Sequence, residues 1–335
     1  MSARNFDWLK LRPEGLYCDP AGVFIDPARP VDRAIITHGH ADHARPGHNN
    51  VLATQETLSI MKVRYPSDSA HYQPARYGEE FRLGDVSLWF APAGHVLGSA
   101  QIVIEHRGHR AVISGDYKRQ PDPTAASFEP VRCDLFVTEA TFALPVFRHP
   151  KPESQIDKLL RSIAAFPEQP HLLGVYGLGK CQRILSLLRS AGFDKPIYLH
   201  GALVELTNLY KAFGNDFGDV HPVQAVNKTE LSAGLVLAPP SATTDRWSRR
   251  FNNPRISVAS GWMQVRARAR QRGAEVPLVI SDHADWDDLL KTCAETQASK
   301  VWITHGREDA LAFALSKQGQ EAIPLRLSGR EEESE

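Results

Sequence analysis

The segment Thr37-His38-Gly39-His40-Ala41-Asp42-His43 puts three imidazoles and one carboxylate within six residues, directly after the apolar run Ala34-Ile35-Ile36. This pairing constrains the local fold. The apolar residues need a buried strand, and the donors need a rigid strand end to hold them. Alternate residues of an extended segment point the same way, so His38 and His40 can converge on one ion. Asp42 and His43 then fall where a turning loop can bring them to a second ion. Imidazole with carboxylate suits zinc and also manganese. An ion takes three or four protein ligands, so the cluster calls for more donors from elsewhere in the chain.

Three such donors stand at the ends of other apolar runs. Ala93-Gly94-His95-Val96-Leu97-Gly98 offers His95 in a turn bounded by glycines. Ser114-Gly115-Asp116-Tyr117 follows Arg110-Ala111-Val112-Ile113 and offers Asp116, a carboxylate able to bridge two ions. Thr304-His305-Gly306 follows Lys300-Val301-Trp302-Ile303 and offers His305. A single His or Asp at a strand end is ordinarily a turn or cap residue. It is the cluster at 38–43 that turns these three into its partners.

The chain of 335 residues is 42% apolar and 23% charged, as in an ordinary soluble protein. No run approaches the roughly 18 apolar residues of a membrane helix, so no membrane partner is expected. The opening MSARNFDWLKLRPEG lacks the apolar core of a secretory signal. Cys18, Cys133, Cys181 and Cys293 form no CxxC pair, which excludes a cysteine zinc site or a dense disulfide framework and points to a reducing cytoplasm. The 39 basic and 39 acidic residues balance, excluding a uniformly basic coat. From Arg246 to Arg272, however, there are eight arginines and no acid, leaving 31 basic against 39 acidic elsewhere. Such a segment marks a polyanion site. The acidic tail at 331–335 is expected to be a solvated end.

Up to Pro145 the chain reads as short strands, at 23–25, 34–37, 86–90, 101–105, 110–114 and 134–138. Beyond it, helical spacing alternates with strands: Ile156 to Ile163, then strand 171–177 before a helix around Leu185, then strand 196–201 before a helix over 203–213. Residues 239–256, rich in Pro, Ser, Thr and Arg, read as loop. From about 277 the pattern is again strand, helix, strand, helix, strand, with helices at 285–296 and 309–317.

HxHxDH, a distant His, a distant Asp and a late His together resemble the metallo-β-lactamase superfamily. Asp26 in Phe24-Ile25-Asp26-Pro27 is similar to that family's early aspartate. Thr138-Glu139-Ala140-Thr141-Phe142, Ser281-Asp282-His283-Ala284-Asp285 and Thr304-His305-Gly306 resemble motifs A, B and C of its β-CASP group. Gly177-Leu178-Gly179-Lys180-Cys181-Gln182-Arg183 and Ala259-Ser260-Gly261-Trp262-Met263 resemble further segments of that group. The resemblance implies an α/β fold: an αββα sandwich over 1–145 and 277–335, with an α/β cap domain inserted over 146–276. Group members are nucleases of RNA or DNA. The compact length is most similar to the bacterial DNA ligase-associated exonucleases.

The resemblance further implies two divalent ions, zinc or manganese or both. His38, His40 and His95 would hold one, Asp42, His43 and His305 the other, with Asp116 bridging; Asp42 and Asp116 thereby belong to the catalytic set. Two ions roughly 3.5–4 Å apart activate water and hold and neutralise a scissile phosphate. His283 is the implied general acid, since imidazole titrates near working pH, and Glu139 would accept a hydrogen bond from its other nitrogen. A cap residue for His283 and a strand-end ion pair for Glu139 are the plain alternatives.

Expected nucleic-acid contacts are Arg246, Arg249, Arg250, Arg266, Arg268, Arg270, Trp262 and Lys180. Arg266, Arg268, Arg270 and Arg272 alternate, so an extended segment would set them on one face. Trp262 would stack on a base. Lys180 is the weakest of these, because GLGK lacks P-loop spacing and a tight turn before a helix explains it. The expected partner is DNA, as single strands or ends, with a functional association with a DNA ligase. RNA is the competing substrate with the same site. A small-molecule metallohydrolase needs neither the insert, His283 nor the arginines, and a non-catalytic subunit would not be expected to keep all seven donors.

Overall fold

The computed structural model describes residues 6–325, and the acidic tail lies outside them. The chain divides into two units, one running to Arg148 and resuming at His283, the other comprising His149–Asp282.

The first unit contains two sheets. Six strands succeed one another in chain order: Leu9–Arg12, Gly15–Cys18, Val23–Ile25, Arg33–Ile35, Asn50–Thr54 and His71–Ala75. The second sheet has seven strands, ordered Glu321–Pro324, Lys300–Gly306, Leu135–Ala140, His109–Ile113, Ala100–His106, Val86–Pro92 and Phe81–Leu83. Strand alternation explains how they pack. Ile25, Ile35 and Leu52 of the first sheet share one core cluster with Leu88, Ile102, Ile104 and Ile113 of the second. Their neighbours Ala34, Ile36, Val51 and Ala53 point the other way, onto Leu58 and Met61 of the helix Gln55–Arg64. On the outer face of the second sheet, Val103, Val112 and Phe136 meet Leu289 and Cys293 of Trp286–Glu295 and Leu311 and Leu315 of Glu308–Lys317. Helix, sheet, sheet, helix is therefore the layer order.

The second unit is a six-stranded, wholly parallel sheet, ordered Val220–Pro222, Ile197–Leu199, Leu235–Ala238, His171–Gly174, Arg255–Ala259 and Val276–Leu278. Strands buried on both faces read as apolar runs, as Leu235-Val236-Leu237-Ala238 does. Its longer helices are Pro152–Ala165, begun by a proline in the first turn, Lys180–Ser190 and Gly201–Ala212, with shorter ones at Lys228–Leu231 and Arg266–Gln271.

Two expectations about local structure change. The region 239–256 includes two short 3-10 turns and the start of the strand Arg255–Ala259. The arginine run is not extended: Arg266–Gln271 is a helix, so Arg266 and Arg270 share a face and Arg268 does not.

Candidate functional site

The strand Arg33–Ile35 ends just short of His38, and Asp26 sets the path of the loop beyond it. Asp26 accepts hydrogen bonds from the Thr37 amide at 2.8 Å and the Thr37 hydroxyl at 2.6 Å, and its Oδ2 lies 2.7 Å from His43 Nδ1. One buried carboxylate thus fixes both the direction of the loop and the tautomer of His43, leaving Nε2 for a ligand. Asp26 holds a left-handed φ of 43°, a strained conformation for a non-glycine residue. The His95 turn is tied by Ser99, whose Oγ accepts from the amides of His95 at 3.0 Å and Val96 at 3.1 Å. Behind it Lys118, buried and paired with Asp122 at 2.6 Å, donates to the His95 carbonyl at 3.1 Å. Gly115 takes a φ of 56°, and a Cβ there would lie 2.7 Å from the Thr37 side chain, so the Asp116 turn and the His38 turn meet only through a glycine.

These turns gather the donors into sets. Ligand-type atoms of His38, His40, His95 and Asp116 lie within 4.8 Å of one another, as do those of Asp42, His43 and His305. Asp116 Oδ2 stands 3.4 Å from His38 Nε2, 3.5 Å from His43 Nε2 and 3.8 Å from His95 Nε2, so it touches both sets. Asp42 Oδ2 is 3.4 Å from His43 Nε2 and 4.0 Å from His305 Nε2. A third set is Asp116, Glu139 and His283. His283 Nδ1 is 2.9 Å from Glu139 Oε2, while Glu139 Oε1 accepts the Tyr117 amide at 2.8 Å.

The electrostatics fit a cation. His38 Nε2 and Asp116 Oδ1 are buried with no hydrogen-bond partner among the described residues. Buried polar atoms of that kind are rare without an unseen partner. Burial, then the neighbouring rings of His43, His95 and His40, hold His38 well below its ordinary value, so it is a neutral donor. Burial pushes the Asp116 carboxyl up to about 7. Burial opposes ionisation of Asp42 too, but the charges of His43, His40 and His305 outweigh it and hold the group low. Glu139 behaves likewise, with the His283 charge and hydrogen bond overcoming burial to keep it below its usual range. A divalent cation among these groups would favour the ionised carboxylates and the neutral rings. The donor set therefore fits divalent metal.

Two expected nucleic-acid contacts are corrected. Lys180 has no exposed surface: its ammonium is 3.1 Å from Asp282 Oδ2 and donates to the Ile280 carbonyl at 3.0 Å. Beside it, the buried Arg183 also bonds Asp282. Lys180 is thus a neutralised core cation with no ammonium at the surface for a phosphate. Trp262 is 5% exposed, with the Arg268 guanidinium 3.8 Å from its ring centre, so too little of the indole reaches the surface to stack on a base. Arg246, Arg249, Arg250, Arg266 and Arg270 are exposed, whereas Arg268 is half-buried on Trp262. Sequence reasoning missed Ser99, Lys118 and Asp122. The lysine directly after Gly115-Asp116-Tyr117 was the available signal, but its partner lies in a loop that no periodicity marks.

Residues 10–164 match a beta-lactamase superfamily domain. A protein named probable DNA ligase from Opitutus terrae is 29% identical over 92% of this chain, and the chain spans only 30% of that protein's length. A ribonuclease of Thermus thermophilus is 29% identical over 89% of this chain and 87% of its own. An RNase J-like protein of Methanocaldococcus jannaschii is 26% identical over 85% and 84%. A crystal structure of a protein of unknown function from Enterococcus faecalis superposes with a TM-score of 0.58 at 14% identity, covering 88% of this chain and 79% of that one, which shows the shared fold. Residues 10–164 thus carry a domain of the metallo-β-lactamase superfamily. Within that superfamily its relatives fit the β-CASP nuclease group.

Proposed function

We propose that this protein is a metal-dependent nuclease that hydrolyses phosphodiester bonds in DNA, as an exonuclease on single strands or ends during repair. The observation that carries this reading is the junction of two donor sets at Asp116, with His38 Nε2 and Asp116 Oδ1 buried and lacking hydrogen-bond partners among the described residues. We assign His38, His40 and His95 to one divalent ion, Asp42, His43 and His305 to a second, and Asp116 to both. Zinc and manganese each suit this mixture of imidazole and carboxylate. When bound, such ions lower the pKa of a water and neutralise charge on the phosphate. His283 gives a proton to the leaving oxygen, and Glu139, kept ionised, orients the ring and holds its charge. We take residues 146–276 as the cap domain of the group; the compact unit His149–Asp282 holds most of them. The exposed arginines at 246, 249, 266 and 270 hold the backbone phosphates.

The match over 92% of this chain to part of a probable DNA ligase supports DNA and a functional link to a ligase. RNA is the second reading, favoured by the near full-length matches to a ribonuclease and an RNase J-like protein. Four buried cysteines, all unbonded, suit a reducing cytoplasm. The test is a nuclease assay on metal-stripped protein, with end-labelled single-stranded DNA and RNA of one sequence and Zn²⁺, Mn²⁺ or Mg²⁺ added in turn. Metal-dependent products on DNA, absent in Asp42→Ala, support the first reading. Products on RNA alone select the second, and cleavage of neither sinks both.

A further inference from the structure

Three exposed arginines of the second unit, at 246, 249 and 250, flank an aromatic residue, Trp247. The parallel strands Ile197–Leu199 and Leu235–Ala238 are neighbours and end at the same edge of the sheet. In open parallel sheets, the crevice beyond the carboxyl ends of the strands is where ligands bind. His200 comes directly after the first strand, its amide donating to the Leu237 carbonyl at 2.9 Å. The loop after the second strand carries Asp245-Arg246-Trp247-Ser248-Arg249-Arg250-Phe251.

That loop is built around Trp247. Asp245 Oδ1 accepts the Trp247 amide at 2.6 Å, and the Ser248 hydroxyl donates to the Asp245 carbonyl at 2.9 Å, which closes a short turn. The indole makes edge contacts with two rings: Phe251, buried, at 5.2 Å and 62°, and His200 at 4.6 Å and 66°. The His200 ring is itself fixed, because its Nδ1 accepts the Ala202 amide at 3.0 Å as the cap of Gly201–Ala212. Arg250 folds back over the indole, its guanidinium 4.9 Å from the ring centre and its Nε donating to the Trp247 carbonyl at 3.1 Å. Trp247 remains half-buried, while Arg246, Arg249 and Arg250 are exposed. The turn holds one acid, Asp245, engaged with backbone, against three arginines.

We propose that Trp247 and the Arg250 guanidinium laid on it form a base-stacking platform for single-stranded nucleic acid, with Arg246 and Arg249 on the flanking phosphates. The platform rests on the nuclease reading. A guanidinium on an indole leaves its outer face to stack on a base, and an indole pinned by His200 and Phe251 loses little entropy when it binds. Stacking of this kind tolerates any sequence, because every base has a π-face. That suits an enzyme acting along a strand.

The test is binding of fluorescein-labelled oligothymidylate by the full chain with metal chelated, so that the strand stays intact. An abasic strand of equal length serves as the control. Trp247→Leu should weaken thymidylate binding about tenfold to a hundredfold, Trp247→Phe should keep most of the affinity, and neither change should matter on the abasic strand. Arg246→Ala with Arg249→Ala should lower the salt slope on both strands. Wild-type affinity for thymidylate in Trp247→Leu, or an equal loss on the abasic strand, overturns the platform while leaving a nuclease in place. If the unaltered protein binds neither strand, the nucleic-acid reading fails and the platform with it.

Discussion

A histidine near a strand end is commonplace, and what sets His283 apart is the pair of oxygens facing its Nδ1: Glu139 Oε2 at 2.9 Å and Thr141 Oγ1 at 3.5 Å. That environment suits a proton donor, yet His283 also shares a possible metal set with Asp116 and Glu139. His283→Ala separates the two roles. We expect hydrolysis to slow roughly 10²–10⁴-fold with bound metal unchanged, measured by single-turnover cleavage and metal analysis of one preparation; loss of an ion would make the residue a ligand. Asp42→Ala or His40→Ala should instead abolish cleavage in a protein that still folds, and full activity in either would falsify the two-ion arrangement. At this scale the sequence spoke clearly where donors are adjacent, as in 38–43. It was silent on Lys118 and Asp122, whose pairing behind His95 depends on the tertiary path of a loop.

Strands and helices were legible where burial imposes a period. The single alternating run Ala34-Ile35-Ile36 sends Ile35 to one core and its neighbours to another. Arg266-Ala267-Arg268-Ala269-Arg270 also alternates, but its side chains are not sorted by a sheet; Arg268 lies on Trp262 and Ala269 is buried, and the segment coils into a helix. Period alone cannot separate these cases without a partner surface. The same level explains Gly306. Its φ is 119°, and a Cβ would lie 2.3 Å from the Ala140 carbonyl oxygen, so Lys300–Gly306 and Leu135–Ala140 can pair there only through glycine. His305, just before it, holds a left-handed φ of 62°. Gly306→Ala should therefore force the strand ends apart and cost on the order of 1–3 kcal/mol, read as a lower melting temperature, and should weaken metal binding by moving His305. An unchanged melting temperature together with unchanged metal content would show that the strand end adapts without cost.

At the scale of the whole chain, all seven donors belong to one unit, yet they come from both sides of the other: six lie before Arg148, and His305 lies after residue 283. The second unit contributes no residue to these sets. An ion that binds only the folded site stabilises it by mass action, by about 2.7 kcal/mol at a hundred times its dissociation constant. That stabilisation acts on the unit holding the donors. Because the units are separate compact bodies with their own cores, unfolding need not be a single all-or-none event. We expect calorimetry of the chelated protein to resolve two transitions. Zinc or manganese should raise one and leave the other where it was, and Asp116→Ala should remove most of that shift. If both transitions rise together, the units unfold as one body and the ion reports on the whole chain. If neither moves with any divalent ion, the buried donor sets do not hold a metal, and the hydrolytic reading loses its physical basis.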